Sequence, residues 1–340
     1  MSDFRSDTLT VADTEMREAM AAAEVGDDFY GEDPTVLRLE SRAAELLGKE
    51  AALMVPSGTF ANVIALSLVS KGDQVLAHVD SDINRWEAHT LARLAGLIVK
   101  PVSGQRGRLD LRALERSAAE ADPDAPLPGV VAIENPHSAS GGRVWSLDDI
   151  AEVADICDRY GLPLHIDGAR LFNACNAGGY AARDMTARAT TVSLSLYKGL
   201  GAPMGSLVCG DATLVKQMRH RRRNWGITFR QMGHMAAAGL VALDRVERLS
   251  DDHQLARELW TALAQYFTNA QLGAAPESNI VTLDLGDQAS VLVEEIGRRG
   301  VRITEVVPGV ARFVTHAGVN DADVRRAVNA CAAYAVEAGS

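Results

Sequence analysis

Ala51-Ala52-Leu53-Met54-Val55-Pro56-Ser57-Gly58-Thr59 is the stretch that decides the fold. Five apolar residues run into a Pro-Ser-Gly-Thr turn, and apolar residues at helical spacing follow over 60–69. A short apolar run closed by turn residues and followed by a helix is the opening of a strand–helix unit. Working outward, the alternation recurs. Strands are predicted over 74–78, 97–102, 130–133, 162–166, 191–196 and 205–209, with helical spacing most evident over 147–160. Such alternation predicts an α/β fold with a mostly parallel sheet. After about residue 240 the pattern changes. Helices are predicted over 235–252, 254–267, 289–299 and 321–338, and strands over 279–285, 301–306 and 310–315. The chain is therefore divided into a large domain, 1–247, and a smaller α+β domain, 248–340.

The 340 residues carry a net charge of -11, from 34 basic and 45 acidic side chains. That balance argues against nucleic acid as a partner, since phosphate binding rests on lysine and arginine. One basic run, Arg219-His220-Arg221-Arg222-Arg223, reads either as the solvated end of a helix or as a small anion-binding patch. No stretch approaches the roughly 20 apolar residues of a membrane helix, and the charged N-terminus does not read as a signal peptide. The four cysteines show no C-x-x-C spacing and read as small buried hydrophobes. A cytoplasmic protein is expected. No ligand constellation for a metal is evident.

Three local features point to chemistry. Ser57-Gly58-Thr59 ends a strand and opens a helix, where free amides and the helix dipole favour a phosphate; a plain N-cap explains it equally well. Asp167, in His165-Ile166-Asp167-Gly168-Ala169-Arg170, ends an apolar strand, at the edge where α/β sheets bind ligands. Its alternative is again a helix cap. Lys198, in Ser195-Leu196-Tyr197-Lys198-Gly199-Leu200-Gly201-Ala202-Pro203, follows a strand and precedes a glycine-rich turn. That placement suits a Schiff-base amine, or a surface lysine in a loop.

A phosphate turn, a strand-end aspartate and then a lysine, in that order, form the layout of fold-type I enzymes that use pyridoxal 5′-phosphate (PLP). The chain resembles the L-threonine aldolase group of the β-eliminating lyase family. The resemblance is carried by Phe4-Arg5-Ser6-Asp7-Thr8, Val25 to Thr35, Lys49-Glu50-Ala51-Ala52, Val55 to Thr59, Glu134-Asn135, Gly141 to Val144, Asp167 to Ala174, Lys198 to Pro203 and Phe313-Val314-Thr315-His316. It implies cleavage of a β-hydroxy-α-amino acid to glycine and an aldehyde. Lys198 is then expected to hold the cofactor, with Ser57, Gly58, Thr59 and Arg230 at its phosphate and Asp167 at its pyridine nitrogen. Ser6, Arg170 and Arg312 are expected to grip the substrate carboxylate, a task that suits a guanidinium. Tyr30 is expected near the site, reaching it from a neighbouring subunit of a homodimer or homotetramer. His137 is expected at the substrate hydroxyl as a base or proton relay, or else as a satisfied loop histidine.

The chain also departs from the family. In Asp80-Ser81-Asp82-Ile83-Asn84-Arg85-Trp86-Glu87, Asp82 stands where the family has a ring-stacking histidine, leaving Trp86 as a candidate for stacking. Gly226-Ile227-Thr228 replaces a glycine run, Pro136 a hydroxyl residue and Tyr197 a serine. Asp82 reads as a base, as a group attracting a cationic substrate, or as a side chain turned away. Three functions compete: the aldolase; another PLP reaction such as β-elimination, β-replacement, racemisation or transamination; and a PLP-free scaffold, which the retained cofactor positions disfavour.

Overall fold

The computed structural model describes residues 1–337. Its central sheet has seven strands: β1 (Ala51–Val55), β2 (Gln74–His78), β3 (Ile98–Val102), β4 (Pro128–Glu134), β5 (Leu164–Gly168), β6 (Thr191–Ser195) and β7 (Ser206–Gly210). Their order is β1-β7-β6-β5-β4-β2-β3. Strands β2 to β6 are parallel, and β7 lies antiparallel between β1 and β6. The C-terminal ends of β1, β2, β4, β5 and β6 therefore open on one edge. Strands β5, β6 and β7 are buried at every residue, as expected where helices cover both faces of a sheet.

Eight main helices are α1 (Pro34–Leu47), α2 (Gly58–Val69), α3 (Leu147–Tyr160), α4 (Ala212–Asn224), α5 (Gly233–Leu243), α6 (Leu249–Leu263), α7 (Ala289–Arg298) and α8 (Asp321–Glu337). Local chemistry sets their ends. At α1 the Asp33 side chain accepts from Thr35 N and Val36 N at 3.1 and 3.0 Å, Pro34 opens the first turn and Gly48 closes the last at φ 59°. Its buried stripe, Val36, Leu39, Ala43 and Leu47, has the spacing of one helix face.

A second hydrophobic core gathers Ala256, Leu259 and Leu263 of α6, Leu292 and Ile296 of α7, Ala327 and Cys331 of α8, and a three-stranded antiparallel sheet. That sheet is β8 (Ile280–Asp284), β9 (Thr304–Val307) and β10 (Val310–Val314), in the order β8-β10-β9. Phe4 is fully buried in the same core, and Ser2–Asp3 pairs in parallel with Val301–Arg302.

Two local expectations are corrected. The stretch predicted as one helix over 235–252 breaks at Asp244, so that α5 packs on the first core while α6 passes to the second. Around the break, Arg245 pairs with Asp13 and Glu15. The run 219–223 is neither a solvated helix end nor an open anion patch. Arg222 is fully buried and ion-paired with Asp28, and Arg219 reaches Asp28 at 3.3 Å and Glu40 at 2.5 Å. Arg223 donates to the Phe29 carbonyl, so the run pins the 25–35 loop. The predicted end of the last helix, residue 338, lies outside the described residues.

Candidate active site

Polar side chains gather at the C-terminal edge of the sheet. Asp167, in β5, is buried and accepts from Asn62 Nδ2 at 2.8 Å and Ala169 N at 3.0 Å. Burial raises its pKa, the nearby Asp82 carboxylate adds to the rise, and Lys198 opposes it. Behind it, Asn62 also donates to Glu87 Oε2 at 3.0 Å, and its Oδ1 lies 3.0 Å from His165 Nε2. With both Asn62 amide protons given to carboxylates, its oxygen accepts, and His165 Nε2 is the donor. His165 Nδ1 then accepts from Thr191 Oγ1 at 2.9 Å. This strip fixes the Asp167 carboxylate from below.

Lys198 follows β6, half-buried, and is charge-coupled to both Asp167 and Asp7. Its carbonyl accepts from Thr10 Oγ1 at 2.9 Å. Asp7 has no exposed surface and takes two bonds from Arg170, Nε and Nη2, each at 2.8 Å. Burial works against both charges, but each holds the other: Asp7 falls to about 2 and Arg170 stays above its usual range. One edge of Arg170 is thus already occupied by a carboxylate; Nη1 points to Ser138 Oγ at 3.4 Å. Arg312, in β10, meets the same hydroxyl through Nη1 at 3.1 Å. Its Nε is buried without a partner, and burial together with Arg170 pushes it down to about 10. A desolvated guanidinium with an unsatisfied N–H is a site that wants an anion.

Asp82 lies just outside β2, and its amide donates to Glu134 Oε2 at 2.8 Å. The other oxygen, Oε1, accepts from Ser138 N at 2.8 Å, so Glu134 joins two loops of the site. Burial first, then Asp82 and Asp167, raises Glu134 well above the ordinary carboxylate range. Glu87 is pushed up to about 7 by burial and Asp167. At the other end of the cleft, Ser57 caps α2 by accepting from Phe60 N at 3.2 Å. Gly58 is buried, and Thr59 is exposed at the helix start. A Cβ on Gly58 would lie 2.9 Å from Ser195 Oγ, so only glycine leaves this corner open.

Ser57, Gly58, Thr59, Asp167, Arg170, Lys198, Arg312 and Asp82 thus share one edge of the fold, with Ser6 capping the turn Asp7–Leu9 beside it. Trp86 is 59% exposed, with Arg85 against its ring. Tyr30 is 69% exposed and packs edge-on against Phe29. Arg230 does not reach the phosphate turn within the chain; it pairs with Asp27 at 3.0 Å and lies over Phe29. His137 stands beside this edge, its Nε2 3.9 Å from Glu134 Oε2. Its ring is fully buried against His78, neither nitrogen is hydrogen-bonded, and burial lowers its pKa to about 3. Sequence reasoning missed Asp7, Asn62, Glu87, Glu134 and Ser138 as site residues. Asp7, Glu87 and Glu134 lay inside stretches already singled out, but Asp7 pairs with Arg170, Glu87 with Asn62 and Glu134 with Asp82, each distant in sequence.

These residues fit PLP. A buried acid stands at the central strand end, a lysine interacts electrostatically with two carboxylates, the first amides of α2 are met only by the hydroxyls of Tyr197 and Ser57, and Arg312 brings an unsatisfied guanidinium N–H. Comparison with known proteins agrees. Residues 3–285 match the family model described as beta-eliminating lyase. A probable low-specificity L-threonine aldolase 2 of Arabidopsis thaliana is 37% identical over 95% of this chain and 94% of its own. The low specificity L-threonine aldolase of Escherichia coli (strain K12) is 35% identical over 94% of this chain and 95% of its own. A solved structure of Leishmania major threonine aldolase superposes with a TM-score of 0.85 at 19% identity, covering 98% of this chain and 100% of that one. The fold is the fold-type I PLP fold.

Proposed function

This chain belongs to the β-eliminating lyase family, and from that premise we propose that it cleaves a β-hydroxy-α-amino acid, L-threonine or L-allo-threonine, to glycine and an aldehyde. It is a PLP-dependent lyase. When bound, PLP supplies the electron sink that accepts the electron pair left as Cα–Cβ breaks. The observation that carries the reading is the meeting of Lys198, Asp167 and the unsatisfied Arg312 at one sheet edge.

Lys198 Nζ would hold the cofactor, and Asp167 would face its pyridine nitrogen, kept rigid by Asn62. Ser57, Gly58 and Thr59 would surround the phosphate. Arg312, with Ser138 and the remaining edge of Arg170, would bind the substrate carboxylate. Ser6 stands at the same side. Fixing the carboxylate orients Cα–Cβ for cleavage. Asp82, whose amide is held by Glu134, would take the proton from the β-hydroxyl oxygen, with Trp86 closing the cleft. Tyr30 is exposed and Arg230 pairs with Asp27, and both would complete the cleft of a neighbouring subunit, in a homodimer or homotetramer. A cytoplasmic location is part of the same reading; among the described residues no helix is long and apolar enough to cross a membrane.

Asp82, in place of histidine, favours a second reading in which the same scaffold performs β-elimination, β-replacement, racemisation or transamination. The test is an absorbance scan of the protein with PLP, before and after L-threonine, L-allo-threonine and phenylserine, with glycine quantified. A visible band and glycine release are expected, both lost in Lys198→Ala. A band that responds to an amino acid without releasing glycine would sink the aldolase reading and favour the second.

A further inference from the structure

The hydroxyl of Tyr197 stands on the first free amide of α2. Gly58 N donates to Tyr197 Oη at 3.2 Å. This amide is one of those that a helix start leaves without an intrahelical partner, and the Ser57 cap serves another, Phe60 N. The amide expected to face a phosphate is therefore already committed to a phenol. A phenol that accepts one hydrogen bond still has its own proton to give. Among the described residues no carbonyl, carboxylate or hydroxyl accepts a bond from Tyr197 Oη. The donor at the helix start is thus passed outward through a hydroxyl, and a chain of this kind polarises its last member. Ser195 Oγ lies in the same corner, 2.9 Å from where a Cβ at Gly58 would stand, against 3.5 Å for Tyr197 Oη.

Resting on the reading that this chain binds PLP, we propose that Tyr197 is a ligand of the cofactor phosphate, accepting from Gly58 N and donating its O–H to a phosphate oxygen. The next residue is Lys198, so adjacent residues would anchor the two ends of one cofactor. Tyr197 thereby extends the phosphate cradle outward from the amide of Gly58.

The test separates the phosphate from the rest of the cofactor. Full-length wild type, Tyr197→Phe and Tyr197→Ser are titrated with PLP and with pyridoxal, which lacks the phosphate, following the visible band and the quenching of intrinsic fluorescence. A lost hydrogen bond to a charged acceptor raises the dissociation constant about ten- to a hundredfold. That rise is expected for PLP in both variants, with pyridoxal binding unchanged in Tyr197→Phe. Equal weakening for both ligands would overturn the proposal in favour of a packing role. Unchanged or tighter PLP binding in Tyr197→Phe would overturn it by showing that the hydroxyl is a bystander or an obstruction. If wild type itself develops no band with PLP, the cofactor reading falls, and this inference with it.

Discussion

Replacing Asp7 by Asn removes one charge from a buried pair and leaves its shape almost unchanged. Asp7 has no exposed surface and binds Arg170 through two 2.8 Å hydrogen bonds. Burial opposes its ionisation and Arg170 overcomes that opposition, so its pKa falls from 3.8 to about 2. At about 1.4 kcal/mol per pH unit, this fall is worth about 2 kcal/mol. Because the folded value is depressed, the contribution is present above pH 3.8 and is lost as the pH drops through about 2. The Asn variant forfeits it and also strands a buried guanidinium, for which the cost of breaking a buried pair is about 3–5 kcal/mol. Urea unfolding at pH 7, followed by tryptophan fluorescence, is expected to show a loss in that range, shrinking as wild type and variant are compared at progressively lower pH. A loss under about 1 kcal/mol, the value of an exposed pair, would refute the claim that Asp7 and Arg170 are one internal unit.

Further expectations follow from the same geometry. Glu87, raised from 4.5 to about 7 by burial and Asp167, keeps its proton in the folded state where the unfolded chain has lost it, so stability falls as pH rises from 4.5 to 7; Glu87→Gln should flatten that slope in thermal melts, and an unchanged slope would contradict the assignment. Arg312→Lys should raise KM for the amino acid by about tenfold or more with a smaller fall in kcat, since an ammonium does not reproduce the guanidinium fork; a pure kcat defect would place Arg312 elsewhere. Asp28→Asn should lower stability by about 3–5 kcal/mol, read by calorimetry, because it strands the buried Arg222; a neutral outcome would mean that the 25–35 loop is held by other contacts.

The α/β architecture was legible because apolar runs in a covered parallel sheet are nearly continuous. The strands over 74–78 and 191–196 match β2 and β6 to within a residue. Lys198 and Asp167 were legible for a related reason: each stands beside a strand end, where topology dictates which edge is open. What the sequence hid is pairing across long separations. Asp28 and Arg222 lie far apart in the chain, and a basic run gives no sign that one of its members will be desolvated by a carboxylate elsewhere. The surroundings of His137 were hidden too, because the imidazole has the same intrinsic chemistry in a cleft as under a β-hairpin, and the sequence does not give its burial. The hairpin Gly104–Gln105 with Arg108–Leu109 covers it, and a Cβ on Gly107 would collide with its ring. The break at Asp244 was invisible because helical periodicity resumes almost at once on the other side.

The N-terminal segment carries one more consequence, in the order of synthesis. Ser2–Asp3 pairs with Val301–Arg302, and the Phe4 carbonyl accepts from Val314 N at 2.8 Å. Asp7 and Thr10, a few residues on, brace Arg170 and the Lys198 backbone. Residues 2–10 must therefore wait for residues 301–314 before they can be fixed. Until the segment near 301–314 emerges, Arg170 lacks a settled partner and the lysine loop lacks its brace. The central sheet can form early from neighbouring strands, but its ligand edge is finished only once residues 301–314 have joined it, and a nascent chain stalled before residue 301 would hold a sheet without a working site.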